Sequence, residues 1–279
     1  MNEKTQYDVL IAGGGPAGIS AWLTCHARGL NAVIVTNAPE HSLLWKAGRI
    51  DNYPGFSDSS GSTLLGSMYV GAEKLGLQRI TGQLLGIMRM GKSFIASFGT
   101  EVLSAGSVIL ATGVTPANVY PGEREHLGSG VSYCATCDGM LYRGKTVAVI
   151  GLAADAENEA QALRQIGCQV EYFDKKRARS FAIKGGDRVT ALSADGTDYP
   201  VEGVFILRDT IAADVLMPGL ETDGPHIRVD AGMRTNIPGI FAAGDCTGKP
   251  YQIARAVGQG NIAALSANDY ITHTKENVK

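Results

Sequence analysis

The sequence predicts an α/β protein with two Rossmann-like domains, the smaller one inserted into the larger. Residues 7–35 show a short apolar strand, a glycine-rich turn, a helix and a second strand, the order of a dinucleotide-binding βαβ unit. The same order begins again at residue 145, where a second apolar run leads into a turn and a helix. A chain of 279 residues is long enough for two domains that each bury a core.

Composition and charge exclude several classes of protein. The chain is 44% hydrophobic and 19% charged, as in ordinary soluble α/β proteins. Its net charge of −2 provides no general attraction for nucleic acid or anionic membranes. No apolar run approaches the ~20 residues that span a bilayer. A short polar start and five cysteines without framework spacing lead us to expect a cytoplasmic protein.

The first βαβ unit has the features of a phosphate-binding turn. The strand Tyr7–Ala12 is followed by Gly13-x-Gly15-x-x-Gly18, a helix to about Arg28, and a strand over residues 32–35. Glycines at these positions let the backbone approach a pyrophosphate, and the N-terminus of the helix provides N–H groups and a positive dipole. The spacing therefore predicts a nucleotide site at this turn.

The stretch Cys134-Ala135-Thr136-Cys137-Asp138-Gly139 predicts redox chemistry. Two thiols separated by two residues can close a disulfide with little backbone movement, and each affects the reactivity of the other. Asp138 follows directly and could transfer protons. A zinc site would need a second ligand pair, but Cys25, Cys168 and Cys246 are isolated and no His pair is closely spaced. Redox chemistry is thus favoured over a metal site or an inert buried pair.

Together with Ala111-Thr112-Gly113 and the segment 239–245, these motifs resemble the low-molecular-weight thioredoxin reductase family. Members of that family are FAD enzymes that pass electrons to a disulfide, and the hexapeptide 134–139 matches their redox motif unchanged. The resemblance implies an FAD-binding domain of residues 1–117 and 239–279. It also implies an inserted disulfide domain of residues 118–238, and a homodimer.

The resemblance assigns cofactor roles residue by residue. Asn52, in Asp51-Asn52-Tyr53-Pro54-Gly55, is expected to contact the flavin, Asp245 to hold the ribityl chain, and Gln252 to face the pyrimidine. Trp45 is either a cap over the flavin or an anchor for its loop. The full set of expected FAD-binding residues is Gly13, Gly15, Pro16, Ala17, Gly18, Asn52, Ala111, Thr112, Gly113, Gly244, Asp245, Gln252 and Ile253.

The second nucleotide site departs from the family pattern. Where the family has G-x-G-x-x-A, this chain has Gly151-Leu152-Ala153-Ala154-Asp155-Ala156. Ala153 replaces the glycine that lets the backbone touch a pyrophosphate, and Asp155 is expected to place a carboxylate in the first helical turn. The segment 205–209 lacks the family's small Ile-Gly ending, although Lys175 and Lys176 align with two phosphate-binding arginines. We expect no productive NADPH site.

A basic run follows the degraded turn. Its members are Lys175, Lys176, Arg177, Arg179, Lys184 and Arg188. It is either a solvated loop or a docking patch for an acidic electron carrier such as ferredoxin, with RNA binding least favoured. The sequence leaves these alternatives open.

The motifs and their departures match the pyridine-nucleotide-independent branch of the family, the ferredoxin-dependent flavin thioredoxin reductases. The expected route runs from ferredoxin through FAD and the Cys134–Cys137 disulfide to thioredoxin. The resemblance implies that electrons enter the disulfide at Cys137, that Cys134 attacks thioredoxin, and that Asp138 acts as acid and base.

Three other functions remain open from the sequence. An NADPH-dependent thioredoxin reductase requires the degraded turn to work. A flavin-dependent dithiol oxidase, which passes electrons from a small dithiol to oxygen, would also keep the cysteine pair without NADPH. A redox-inactive flavoprotein that acts as a binding module provides no reason to keep the cysteine motif.

Overall fold

A computed structural model describes residues 6–99, 101–114, 119–153, 155–208 and 211–276. Helices and strands alternate in both compact units of the chain, which confirms the expected α/β class with Rossmann-like sheets. One unit comprises Met1–Pro116 and Ala212–Lys279, and the other comprises Ala117–Ile211. Within the described ranges, no helix is both long and apolar enough to cross a bilayer.

The strands of the described ranges are, in chain order, β1 (Gln6–Ala12), β2 (Ala32–Thr36), β3 (Gln78–Thr81), β4 (Leu84–Met90), β5 (Ser93–Phe98), β6 (Glu101–Leu110), β7 (Val131–Ser132), β8 (Thr146–Gly151), β9 (Gln169–Phe173), β10 (Phe181–Gly185), β11 (Val189–Ala194), β12 (Thr197–Pro200), β13 (Gly203–Leu207), β14 (Thr222–Asp223), β15 (His226–Ile227) and β16 (Ile240–Ala242). The α-helices are α1 (Pro16–Ala27), α2 (Gly61–Glu73), α3 (Ala135–Asp138), α4 (Ala156–Ile166), α5 (Ala213–Leu216) and α6 (Ile253–Glu276). Short 3-10 turns span Pro39–His41, Gly139–Tyr142 and Asp245–Thr247.

The larger unit is built on a seven-stranded sheet with the order β3-β2-β1-β6-β5-β4, and β16 pairs with β6. Strands β2, β1, β6 and β16 run parallel, whereas β4, β5 and β6 are antiparallel neighbours. The centre of β1 is fully buried, as expected for a parallel strand with both faces covered. Helices α1 and α6 supply much of the core, including Ile19, Ala263 and Ala267.

Two glycines bring the helices of the larger unit close to their neighbours. A Cβ on Gly260 of α6 would collide with the backbone of Ala17 in α1. A Cβ on Gly18 would collide with the carbonyl of Gly13, at the end of β1. Close backbone contact at both points fixes α1 against the sheet and against α6, so the first turn is held rigidly.

The smaller unit contains a four-stranded parallel sheet with the order β7-β13-β8-β9 and a three-stranded antiparallel sheet, β10-β11-β12. Helix α4 covers the parallel sheet through Ala156, Ala160 and Leu163, which share a core with Val149 and Phe205. Gly167, with φ of +104°, ends α4 in the left-handed conformation.

The second domain boundary differs from the one expected at residue 238. Residues 212–238 belong to the larger unit because Met233 is buried in its core, and the Ala242 amide donates to the Met233 carbonyl at 3.1 Å. The Ser266 hydroxyl also donates to the Gly232 carbonyl at 2.7 Å. The boundary therefore falls at Ile211, while the one expected at residues 117–118 lies outside the described residues.

Candidate functional site

The glycine turn after β1 is held open by hydrogen bonds from outside it. Gly13 adopts a φ of +113°, which favours glycine, and its amide donates to the Val35 carbonyl at 2.8 Å. The Gly14 amide donates to Thr36 Oγ1 at 3.0 Å, and the Tyr69 hydroxyl donates to the Gly14 carbonyl at 2.7 Å. The turn is thus shaped by contacts with β2 and α2.

The space beside Gly15 is large enough for the pyrophosphate of FAD. A Cβ built on Gly15 would meet nothing within 4 Å, so open space lies directly before the N-terminus of α1. Pro16 begins that helix and lacks an N–H, and Ala17 packs into the core behind it. The space suits an anion held by backbone amides at a helix N-terminus.

The other two expected flavin motifs lie at the carboxyl ends of neighbouring parallel strands. Ala111 follows β6, and its amide donates to the Ala12 carbonyl at 2.8 Å. Ala243 follows β16 and donates to the Leu110 carbonyl at 2.9 Å. The sheet therefore brings the three motifs to one edge, although long stretches of chain separate them. Thr112 and Gly113 (φ of +73°) follow Ala111 at this edge.

Asp245 is half-buried at this edge, just after Gly244, which adopts a φ of +84°. Burial raises the pKa of the Asp245 carboxyl, and the Arg255 guanidinium opposes that rise. Arg255 is itself held by Thr247 Oγ1 at 3.0 Å. A half-buried carboxylate here can accept hydrogen bonds from the hydroxyl groups of a ribityl chain.

Asn52 and Gln252 meet at the start of α6. Asn52 Nδ2 donates to Gln252 Oε1 at 2.9 Å, and both side chains are exposed. Ile253, the third expected residue in this region, is the first residue of α6. Next to Gln252, the Tyr251 hydroxyl lies 2.8 Å from His226 Nε2, a contact that the sequence does not predict.

Trp45 packs against the core of the larger unit, and its amide donates to Ser42 Oγ at 3.1 Å. These contacts favour the loop-anchor interpretation of Trp45.

Cys134 and Cys137 form a disulfide at the start of the four-residue helix α3. Cys134 is the N-cap residue, and its Sγ accepts a hydrogen bond from the Cys137 amide at 3.1 Å. The Thr136 hydroxyl lies 3.4 Å from the same sulfur. After reduction of the pair, these donors would stabilise a thiolate at Cys134.

Asp138 is connected to Cys134 through Ser132. The Ser132 hydroxyl donates to Asp138 Oδ2 at 2.7 Å, and the Cys134 amide donates to Ser132 Oγ at 3.1 Å. The carboxylate is therefore anchored beside the disulfide turn. This position suits the expected proton transfer, with Ser132 as a residue that sequence reasoning missed.

A buried charged network lies beside the same turn. Glu123 and Arg208, 1% and 8% exposed, form an ion pair at 2.9 Å. The Tyr133 hydroxyl donates to Glu123 Oε1 at 2.8 Å, and the Arg208 guanidinium lies over the Tyr120 and Tyr133 rings. Burial and the Glu123 charge raise the pKa of Tyr133, which keeps the phenol protonated. Tyr133 immediately precedes Cys134, so this network anchors the turn from behind.

The second nucleotide turn differs from the first in its backbone. The amides of Leu152 and Ala153 both donate to the carbonyl of Leu207, at 2.8 and 2.9 Å. Ala153 takes the place of Gly15 in the first turn, where open space remains. Its side chain packs against the core of the smaller unit. The sequence predicts that Ala153 keeps a pyrophosphate away from the backbone. In the structure, the amide of Ala153 is already hydrogen-bonded to the Leu207 carbonyl.

Tyr172 covers this turn, and three carboxylates lie at the start of the helix that follows it. A Cβ on Gly151 would collide with the hydroxyl end of the Tyr172 ring, which covers the turn. The sequence predicted Asp155 in the first turn of α4, but Asp155 is the residue before the helix, and Glu157 and Glu159 lie in the first turn instead. Ala154 lies outside the described residues. The turn is crowded and acidic, which is unfavourable for a phosphate.

Two members of the basic run, Arg177 and Lys184, are paired within the smaller unit. Arg177 donates to Glu171 at 2.7 Å and lies 4.2 Å from the centre of the Phe173 ring. Lys184 pairs with Asp198 at 2.8 Å. Lys175, Lys176, Arg179 and Arg188 are exposed. The candidate docking patch therefore keeps these four residues, with Lys175 and Lys176 adjacent in the chain.

Comparisons with known proteins give one consistent result. Residues 7–181 and 175–260 match the family described as pyridine nucleotide-disulphide oxidoreductase. A thioredoxin reductase from Listeria monocytogenes is 31% identical, and the match covers 100% of this chain and 98% of the relative. One from Bacillus subtilis is 28% identical over 100% of this chain and 99% of the relative.

Two solved structures extend the comparison. A ferredoxin-flavin thioredoxin reductase from Clostridium acetobutylicum is 36% identical with a TM-score of 0.89, and the match covers 98% of this chain and 99% of the other. A thioredoxin reductase from Gloeobacter violaceus is 30% identical with a TM-score of 0.78, over 97% and 96% of the two chains.

Proposed function

This chain belongs to the pyridine nucleotide-disulphide oxidoreductase family, and we propose that it is a thioredoxin reductase whose FAD receives electrons from a ferredoxin. FAD is the cofactor of this family, and the first turn provides space for its pyrophosphate. The similarity to a ferredoxin-flavin thioredoxin reductase supports the ferredoxin donor. The similarity to several thioredoxin reductases supports thioredoxin as acceptor.

The observation that carries the choice of donor is the hydrogen bonding of the second turn. Ala153 stands at the position of Gly15, and because its amide is bound to the Leu207 carbonyl, that amide is not available to a pyrophosphate. Displacing that carbonyl would leave a buried acceptor without its donors. Asp155, directly before α4, adds repulsion: at an effective dielectric of 20, a carboxylate ~4 Å from a phosphate would cost about 4 kcal/mol. That cost corresponds to roughly a thousandfold in affinity.

FAD, when bound, would accept single electrons from an iron–sulfur protein and supply them as a pair. Of the expected residues, Gly13, Gly15 and Gly18 would admit its pyrophosphate, with Pro16 and Ala17 at the start of α1. Asp245 would hold its ribityl chain. Asn52, Gln252 and Ile253 would lie against the ring. The remaining members, Ala111, Thr112, Gly113 and Gly244, would line the sheet edge beside it.

The residues around α3 carry out the proposed disulfide exchange. Two electrons break the Cys134–Cys137 bond, and the Cys134 thiolate is stabilised by the Cys137 amide. Cys134 then attacks one sulfur of the thioredoxin disulfide and releases the other sulfur as a thiolate. Cys137 attacks Cys134, which reforms the disulfide and releases dithiol thioredoxin. Asp138, anchored by Ser132, is placed to take and return protons during these exchanges.

Anaerobic flavin absorbance tests the donor. The FAD-loaded protein is mixed with NADPH or with a reduced ferredoxin, and bleaching near 450 nm is followed. We expect rapid bleaching with ferredoxin and negligible bleaching with micromolar NADPH. Full turnover on micromolar NADPH would reject the ferredoxin assignment, and oxygen uptake with small dithiols would favour the dithiol oxidase. The homodimer and the cytoplasmic location remain predictions for sedimentation and cell fractionation.

A further inference from the structure

Glu159 reaches the disulfide turn from the neighbouring helix α4. The Ala135 amide donates to Glu159 Oε2 at 3.2 Å, and Ala135 directly follows Cys134. The contact is positioned by apolar packing, since Ala135 shares a buried core with Ala156 and Ala160 of α4. This packing holds the carboxylate beside the turn that carries the disulfide.

Two opposing influences act on the Cys134 sulfur. The Cys137 amide and the Thr136 hydroxyl favour a thiolate, as described above. A carboxylate bound to the next peptide group acts against it, because like charges at short range disfavour ionisation. The balance between them sets the pKa of the Cys134 thiol, and hence how readily the reduced pair gives up electrons.

The pKa of the Glu159 carboxyl is raised above its ordinary value. Burial raises the pKa of its carboxyl, the Ala135 amide lowers that pKa by stabilising the charged form, and the Asp155 charge raises it. Two other acidic side chains lie on α3 and α4. Asp138 is bound to Ser132, and Glu157 pairs with Arg164 at 3.1 Å.

Tyr142 and Tyr172 are the phenols of the elements packed on α4, and burial raises the pKa of each. Both are therefore neutral at physiological pH. Besides Glu159, the acidic side chains Asp138 and Glu157 are therefore the nearby groups whose negative charge could change the pKa of Cys134.

We propose that Glu159 is a positioning residue for the dithiol. Its carboxylate holds the Ala135 peptide, and its charge disfavours the Cys134 thiolate, which makes the reduced pair a stronger reductant. A charge that destabilises the reduced, ionised form lowers the reduction potential of a disulfide. The proposal rests on the redox role of the disulfide within the proposed function, but it is independent of the electron donor.

The test measures the pKa of Cys134 in the FAD-loaded protein with Cys137→Ser, which leaves Cys134 reduced. Mass spectrometry measures the rate at which iodoacetamide alkylates Cys134 at a series of pH values. The Cys137→Ser protein is compared with the Cys137→Ser, Glu159→Gln protein. Gln keeps an oxygen that can accept the Ala135 N–H but removes the charge. We expect Glu159→Gln to lower the midpoint of the profile by about one pH unit, roughly a tenfold increase in the thiolate-to-thiol ratio at a given pH.

Glu157→Gln is the matched control, because Glu157 lies in the same helical turn but is exposed. It should move the midpoint by no more than a few tenths of a unit. With both cysteines intact, Glu159→Gln should also raise the midpoint potential of the disulfide. An unchanged midpoint in Glu159→Gln, or an equal shift in Glu157→Gln, would overturn the proposal. Since neither ferredoxin nor thioredoxin is used, such a failure would leave the donor assignment intact.

Discussion

Asn52 Nδ2 donates a 2.9 Å hydrogen bond to Gln252 Oε1, which joins two loops 200 positions apart in the chain. A primary amide carries two donor hydrogens and an acceptor oxygen, so each side chain keeps further capacity after this bond. Asn52 retains a donor and its oxygen, while Gln252 retains both of its donors. The pair can therefore bind the polar edge of a flavin ring without first breaking apart.

The first prediction concerns Gln252. Gln252→Ala should weaken FAD binding about tenfold, because a typical hydrogen bond contributes roughly 0.5–1.5 kcal/mol and Asn52 loses its partner as well. FAD affinity is measured by titrating apoprotein and following flavin fluorescence. Asn261→Ala is the control, since Asn261 is an exposed amide on the same helix that donates to Thr24 Oγ1 at 2.9 Å. Equal losses of FAD affinity in the two variants would show that Gln252 is not part of the FAD site.

The second prediction separates the roles of the two cysteines. With Cys137→Ser, oxidised thioredoxin should accumulate as a covalent adduct on Cys134, because the resolving thiol is missing. With Cys134→Ser, no such adduct should form. Non-reducing electrophoresis and mass spectrometry distinguish the two results. A stable adduct on Cys137 in the Cys134→Ser protein would reverse the assignment.

The third prediction concerns the buried pair of Glu123 and Arg208. Glu123→Gln removes the charge that compensates a guanidinium only 8% exposed, so the free energy of unfolding should fall by about 3 kcal/mol. The exposed pair of Glu157 and Arg164 provides the comparison, and Glu157→Gln should cost less than about 1 kcal/mol. Urea unfolding measures both. A cost below 1 kcal/mol for Glu123→Gln would show that the network contributes little to stability.

The fourth prediction is a loss of stability at alkaline pH. Burial raises the pKa of the Cys246 thiol from 9.0 to about 11. The unfolded thiol ionises above about pH 9 while the folded one keeps its proton, so the folded state binds more protons in this window. This contribution is complete below pH 9 and falls by about 2–3 kcal/mol as pH rises to 11.

Guanidinium unfolding at pH 8 and pH 10.5 checks this dependence. Burial also raises the pKa of Cys25, to about 12, so that thiol contributes in the same direction. Cys246→Ala should reduce the slope without removing it. A variant with the full wild-type slope would exclude Cys246 as its source.

The fifth prediction tests Lys175 and Lys176 as a docking pair. Reversing both to Glu should slow flavin reduction by ferredoxin about tenfold at low salt, because charge steering raises encounter rates. Dithionite-driven reduction of thioredoxin should not change. Arg177 is left intact because it contacts Phe173 and Glu171 within the fold. Lys74→Glu, an exposed lysine on the larger unit, is the control. A salt-insensitive rate would reject the patch and leave the donor assignment standing.

Much of the fold can be predicted from the sequence because its signals are local. Apolar runs predict β1, β2 and β8, and the glycine-rich turn after β1 marks where α1 begins. Gly13 shows the reason, since it adopts a positive φ that the local pattern of glycine already indicates. The cysteine pair is predicted in the same way, because two residues of spacing place both sulfurs on one short turn.

By itself, then, the sequence determined the α/β class, the first phosphate-binding turn, the redox pair and the loss of the second glycine pattern. Only the tertiary structure decided what replaces that pattern: the Leu207 carbonyl takes the amides of the turn, and Tyr172 covers Gly151. It also decided that Glu123 meets Arg208, 85 positions away, and that Glu159 binds the Ala135 amide. These contacts join residues on different strands and helices, and no local periodicity records such pairing. They depend on how the sheet and α4 pack, which is a property of the whole smaller unit.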